Sequence, residues 1–154
     1  MLQFASLHYA SECALAIMIT ASHNPKEYNG FKCCLANAVP INLTQVGKVL
    51  EGIIESQEFT IGAGSCEPRD ILPDWIDRVA RFAESDLSHL RIVADAGNGV
   101  AGVFMPELAR TLGFELIPLF FEPDGNFPNH HPSPIEPKNM EALIARVRET
   151  GADI

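Results

Sequence analysis

Ser22, His23, Lys26 and Lys32 fall within one short stretch, Thr20-Ala21-Ser22-His23-Asn24-Pro25-Lys26-Glu27-Tyr28-Asn29-Gly30-Phe31-Lys32. A hydroxyl, an imidazole and two ammonium groups are the parts of a nucleophilic or group-transfer site. A serine hydroxyl is a poor nucleophile at neutral pH and needs help with its proton and with developing charge. The same residues also make an ordinary polar turn, because Ser, Asn and Pro are common turn formers.

The flanking residues set the position of this loop. Residues 14–19 form a brief apolar run with two isoleucines, which predicts a buried strand. Pro25 fixes its own φ and keeps Asn24 out of the right-handed helical region, so the loop is tight. Asn29-Gly30 is a second turn signal, and residues 31–35 restart an extended run. A loop held between two strands is a common place for chemistry.

Thr20-Ala21-Ser22-His23-Asn24-Pro25 followed by Tyr28-Asn29-Gly30-Phe31-Lys32 resembles the active-site loop of the α-D-phosphohexomutases, the phosphomannomutase/phosphoglucomutase family. The match is ordered and spans the entire loop. Two further blocks resemble the second domain of that family. They are Val93-Ala94-Asp95-Ala96-Gly97-Asn98-Gly99-Val100-Ala101-Gly102 and Glu122-Pro123-Asp124-Gly125-Asn126-Phe127-Pro128-Asn129-His130-His131-Pro132.

Composition narrows the classes. The 154 residues are 47% hydrophobic and 20% charged, a globular balance that allows one domain or parts of two. No uninterrupted apolar stretch is long enough to span a membrane, and the start lacks the pattern of a signal peptide. A net charge of −9 argues against nucleic acid as a partner, but not against a phosphate ligand in a small local site. The four cysteines, Cys13, Cys33, Cys34 and Cys66, contain no Cys-x-x-Cys pair, so zinc is disfavoured and reduced thiols in a cytoplasmic protein are the simplest reading. Cys33 and Cys34, adjacent on a strand, must point to opposite faces. His130-His131 raises a metal site, but its Asn-His-His-Pro setting reads first as a rigid loop.

In chain order, residues 2–10 have helical spacing at Phe4 and Leu7, with no N-cap before them, as if upstream partners were missing. Residues 39–43 read as extended, and Asn42 with Gln45 resembles a capping box. Val46, Val49, Leu50, Ile53 and Ile54 then line one helical face. Residues 60–68, rich in glycine, form an irregular crossing. Leu72, Trp75, Ile76, Val79, Phe82 and Ala83 keep helical period, with Pro73 tolerable in a first turn. Residues 90–94 and 114–121 read as strands. A helix over 103–112, closed by Gly113, lies between them, with Pro106 either in its first turn or kinking it. A helix over 138–150 carries Met140, Leu143, Ile144 and Val147 inward and stops at Gly151, and residues 152–154 begin a third strand. Strand-helix-strand-helix-strand is the order of an α/β unit with a parallel sheet.

Gly97-Asn98-Gly99-Val100-Ala101-Gly102 is also literally G-x-G-x-x-G between a strand and a helix, with Glu122 and Asp124 where a ribose-binding acid belongs. A dinucleotide-dependent oxidoreductase is therefore one alternative, and a non-catalytic interaction fragment another. The glycines equally suit any tight strand-to-helix turn.

The resemblance implies two incomplete three-layer α/β domains with mixed or parallel sheets. Residues 1–66 correspond to the latter part of the first domain, 67–86 to a linker helix, and 87–154 to the first part of the second. It implies a fragment of an enzyme that interconverts hexose 1-phosphate and hexose 6-phosphate, of glucose or mannose, through a phosphoserine and a bisphosphorylated sugar. Ser22 is then the phosphoserine, and His23 and Lys32 are the nearest acid, base or charge-neutralising groups. Mg²⁺ would be held through the Ser22 phosphate and by an aspartate-rich loop expected beyond Ile154. Glucose 1,6-bisphosphate would be the activator. Neither nucleic acid nor membrane is expected as a partner. Self-association through uncovered faces is expected, with negligible turnover by this chain alone.

Overall fold

The computed structural model describes residues 1–57 and 61–154, and the chain divides into two compact units. The first comprises Met1–Thr20 and Gly30–Ile71, and the second Ala21–Asn29 and Leu72–Ile154. The serine loop thus groups with the second unit although both its ends are continuous with the first.

In the first unit, helix α1 (Leu2–His8) precedes strands β1 (Leu15–Ile19) and β2 (Phe31–Leu35), which pair antiparallel with Ile17 opposite Cys33 and Ile19 opposite Phe31. Strand alternation puts Leu15, Ile17, Ile19, Phe31, Cys33 and Leu35 on one face and Cys34 on the other. Cys34 is buried, as are Leu2 and Ser6 of α1. The Ser6 hydroxyl accepts from the Ala38 N–H (3.1 Å) and donates to the Gln3 carbonyl (3.0 Å). The inward positions of α1 are therefore Leu2 and Ser6. Leu7 is exposed, and Phe4 stacks on His8 at 5.2 Å.

The expectation of a buried first strand does not hold. Leu15, Ile17 and Ile19 are exposed, because a two-stranded sheet with a helix on one side leaves its other face without a full layer. Nor does Asn29-Gly30 form the second turn. The Thr20 N–H donates to the Gly30 carbonyl (2.9 Å), so the ladder begins there, and the turn falls earlier, where the Tyr28 N–H donates to the Pro25 carbonyl (3.0 Å).

Helix α2 (Leu43–Ser56) follows an extended stretch whose Pro40 bridges Cys34. The Asn42 side chain accepts from the Thr44 N–H (3.1 Å), and the Gln45 half of the expected capping box lies outside the described side chains. The apolar face of α2 exists in sequence but is open: Val46, Val49, Leu50, Ile53 and Ile54 are all exposed. Thr60, the start of the expected crossing, lies outside the described residues, and residues 61–71 carry no regular element.

The second unit is better closed. Helix α3 (Leu72–Ala80) ends sooner than its periodicity suggests, and Phe82 lies out in solvent under the Arg78 guanidinium (5.1 Å). Strand β3 (Arg91–Asp95) pairs parallel with β4 (Glu115–Leu119) across helix α4 (Ala101–Leu112). Ile76, Val93, Ala109 and Phe114 are buried, and Trp75 meets Phe104 edge-on at 5.0 Å. Pro106 sits in the middle of α4 without ending it, and Gly113 closes the helix in the left-handed conformation.

Strand β4 stops before residue 121 because Phe120 turns to φ 53°. The last helical stretch splits into a 3₁₀ turn (Pro137–Met140) and helix α5 (Glu141–Thr150), with Ile144 exposed rather than inward. Residues 152–154 lie along β3: the Val93 N–H donates to the Ile154 carbonyl (2.8 Å) and the Asp153 N–H to the Arg91 carbonyl (2.9 Å). The α/β class stands, with one antiparallel and one parallel pair.

Candidate active site

Ser22 occupies a tight turn closed by the Asn24 N–H on the Ala21 carbonyl (3.1 Å), and its own φ is 59°. A positive φ at the first central residue is the pattern of turns that favour Gly or Asn, so serine is strained there. Such strain persists only where the surroundings over-determine the conformation. The hydroxyl oxygen lies 3.4 Å from His23 Nδ1, a long contact between the two groups that the sequence singled out. Lys32 lies in β2 opposite Met18, exposed, in the first unit, whereas Ser22 and His23 group with the second.

Lys26, four residues after the serine, has a defined partner. Its ammonium donates to the Asn126 carbonyl oxygen Oδ1 at 2.7 Å. Asn126 is held by Asp124, whose Oδ1 accepts from the Asn126 backbone N–H (2.8 Å) and side-chain Nδ2 (2.9 Å). A carboxylate only accepts, so the amide nitrogen must face Asp124 and the amide oxygen must face Lys26. The Asp124 N–H donates to the Asn98 carbonyl (3.0 Å). Asn98 is buried with both side-chain atoms engaged: Nδ2 donates to the Glu122 carbonyl (2.9 Å), and Oδ1 accepts from Asn129 (2.8 Å). Sequence reading missed this connection, because Asp-Gly-Asn signals only a turn and the partner lies far off along the chain.

The glycine-rich turn after β3 is explained by packing. A Cβ on Gly102 would meet the Phe121 carbonyl oxygen at 1.9 Å, so α4 approaches the backbone just beyond β4 more closely than any side chain allows. Of the two candidate ribose acids, Glu122 and Asp124, the second has its carboxylate engaged by Asn126. His130 is bonded through Nε2 to Asp95 Oδ2 (2.9 Å). Among the described residues, no group of three or more His, Cys, Asp or Glu is placed to hold a metal ion.

Family models for the phosphoglucomutase/phosphomannomutase alpha/beta/alpha domains I and II match residues 1–60 and 73–154 respectively. The chain belongs to the phosphoglucomutase/phosphomannomutase family. It is 43% identical over 152 residues to a phosphomannomutase/phosphoglucomutase of Pseudomonas putida, covering 97% of this chain and 32% of that protein. It is 39% identical over 160 residues to a phosphoglucomutase of Neisseria gonorrhoeae, covering all of this chain and 33% of the relative. Among solved structures, a phosphoglucomutase/phosphomannomutase family protein from Burkholderia thailandensis superposes with a TM-score of 0.77 at 40% identity, over 90% of this chain and 30% of that one. A putative phosphomannomutase from Thermus thermophilus gives 0.76 at 28% identity, over 95% and 33%. The chain thus spans about a third of the length of these mutase relatives. Within the phosphoglucomutase/phosphomannomutase family the dinucleotide reading of the glycine turn is not favoured.

Proposed function

We propose that the protein of which this chain supplies about a third of the relatives' length interconverts hexose 1-phosphate and hexose 6-phosphate, with Ser22 as the phosphoryl carrier. The carrying observation is a serine in a strained, tightly closed turn beside an imidazole, in a chain of the mutase family. In the transfer, the bond between phosphorus and Ser22 Oγ breaks as a sugar hydroxyl oxygen bonds to phosphorus. The proton of that hydroxyl passes to a base, and Oγ is left to be rephosphorylated from the other end of the bisphosphorylated sugar. His23 and Lys32 are the two groups proposed to carry protons or neutralise charge in these steps. Phosphoryl transfer depends mainly on positioning and electrostatic stabilisation, which the serine turn and these two side chains are proposed to supply.

A phosphorylated Ser22 adds about −1.5 to −2 charge at pH 7. Among the described residues, no group of three or more His, Cys, Asp or Glu accompanies Ser22 as a ready Mg²⁺ ligand set. Stable charging of the serine is therefore proposed to need residues beyond this chain, and glucose 1,6-bisphosphate is the proposed donor. A cytoplasmic setting is proposed from the free thiols; no helix among the described residues is long and apolar enough to cross a membrane.

Incubation with glucose 1,6-bisphosphate and Mg²⁺, followed by intact mass, tests the reading. This chain alone should stay unmodified, while a chain of the relatives' full length should gain one phosphate that Ser22→Ala abolishes. Phosphate retained in Ser22→Ala would overturn the assignment of the carrier. Efficient labelling of this chain alone would overturn the need for further residues.

A further inference from the structure

We propose that His130 is a doubly protonated positioning residue that latches the loop of residues 122–132 to the end of β3, and that this loop holds the serine turn through Asn126 and Lys26. The geometry at His130 carries the first half. Nε2 faces Asp95 Oδ2 at 2.9 Å, and Nδ1 faces the His131 carbonyl oxygen at 2.9 Å. A carbonyl oxygen and an ionised carboxylate accept but do not donate. A neutral imidazole carries one N–H and would leave one of these contacts as two acceptors face to face, whereas the imidazolium donates to both. The other carboxylate oxygen, Asp95 Oδ1, also acts as an acceptor, taking the Gly97 N–H at 2.7 Å.

Both side chains are largely buried, with Asp95 9% and His130 17% exposed. Strand β3 supplies Asp95, the charged group facing the ring. The Gly97 turn brings backbone, and Phe120 brings a ring at 5.5 Å. Asn139, Met140 and Leu143 line the remaining side with an amide and apolar groups. The His131 carbonyl, and then the bond and charge of Asp95, raise the His130 pKa from its ordinary value against the opposing effect of burial.

The second half follows from the bonds already described. Asn129, beside the latch, donates to Asn98, the Asn98 carbonyl holds Asp124, and Asp124 orients Asn126 toward Lys26. Opening at His130 frees one end of a loop whose middle presents the acceptor for Lys26 of the serine loop.

The sign of the pH dependence is fixed. A histidine with a raised folded pKa contributes fully below the unfolded value of about 6.5, and the contribution fades as pH rises through the folded value. The value of holding the serine turn rests on the mutase reading. The test does not, since it reads no phosphoryl transfer.

Histidine ¹⁵N titration of the 154-residue chain should place the His130 midpoint above about 6.5, and Asp95→Asn should lower it. As pH passes that midpoint, protection of the Asn24 and Tyr28 amides against solvent exchange, corrected for intrinsic rates, should fall by about threefold or more. Asn126→Ala, an exposed change, should produce the same loss at Asn24 and Tyr28 without moving the His130 midpoint. If Asp95→Asn fails to fold, the wild-type titration and Asn126→Ala still decide. A His130 midpoint at or below the ordinary value overturns the latch. Protection at Asn24 and Tyr28 that ignores either the His130 titration or Asn126→Ala overturns its coupling to the serine turn.

Discussion

The two units reach different ends, although the less well buried first unit is the richer of the two in apolar residues. In the second, α3 and α4 pack face to face, β3 pairs with β4 and takes residues 152–154 on its other edge, and Ile76 is 3% exposed. In the first, β1 and β2 have α1 on one side only, and Phe31, equally apolar, is 69% exposed. Periodicity makes an element amphipathic, but burial requires a second layer over the face it creates. Among the described residues the second unit has that layer, whereas in the first the sheet face and α2 residues Val46 and Leu50 only border a shared open cavity.

The sharpest way to break this contrast is steric. In the second unit, Gly102→Ala would drive a methyl group into the Phe121 carbonyl, and the loss should be about 3 kcal/mol or more by urea unfolding. A loss under 1 kcal/mol would mean that α4 and the backbone just beyond β4 are not as close as described.

Next in size is a matched pair of truncations. Ile76→Ala should cost about 2–5 kcal/mol, whereas Phe31→Ala, measured at a concentration low enough to keep the chain monomeric, should stay within about 0.5 kcal/mol, as exposed substitutions do. A large, concentration-dependent loss for Phe31→Ala would show that the open face is covered in solution.

Association gives the same question a direct readout. The uncovered apolar face and sheet edges of the first unit favour pairing. We predict a dimer or larger species at micromolar concentration by light scattering, shifted toward monomer by Ile17→Lys. A compact monomer would count against it.

The smallest expected effect has the opposite sign. A Cβ on Gly52 in α2 meets nothing within 4 Å, so Gly52→Ala should stabilise by about 0.5–1 kcal/mol in thermal unfolding. Destabilisation there would mean that something packs against α2.

Much of the local structure was legible. The Ala-Ser-His-Asn-Pro break, the helical face over 46–54, the Gly113 and Gly151 stops and the strand over 90–94 all rest on near-neighbour rules, and the elements lie where those rules place them to within a few residues. The misses share one cause. The burial of β1 and Ile144, and the turn expected at Asn29-Gly30, depend on what packs or pairs across the fold, which periodicity and dipeptide signals do not encode.

At the candidate site the division is the same. The amino-acid sequence by itself determined which groups are available: the Ser22 hydroxyl, the neighbouring His23 imidazole, the lysines, and the ordered motifs that mark the mutase family. Only the tertiary structure decided that Ser22 sits at positive φ, that Lys26 bonds Asn126, and that both nitrogens of His130 face acceptors. Chain order sets which residues are near neighbours, whereas the direction of a hydrogen bond and the strain of a turn depend on groups brought together from distant positions by folding.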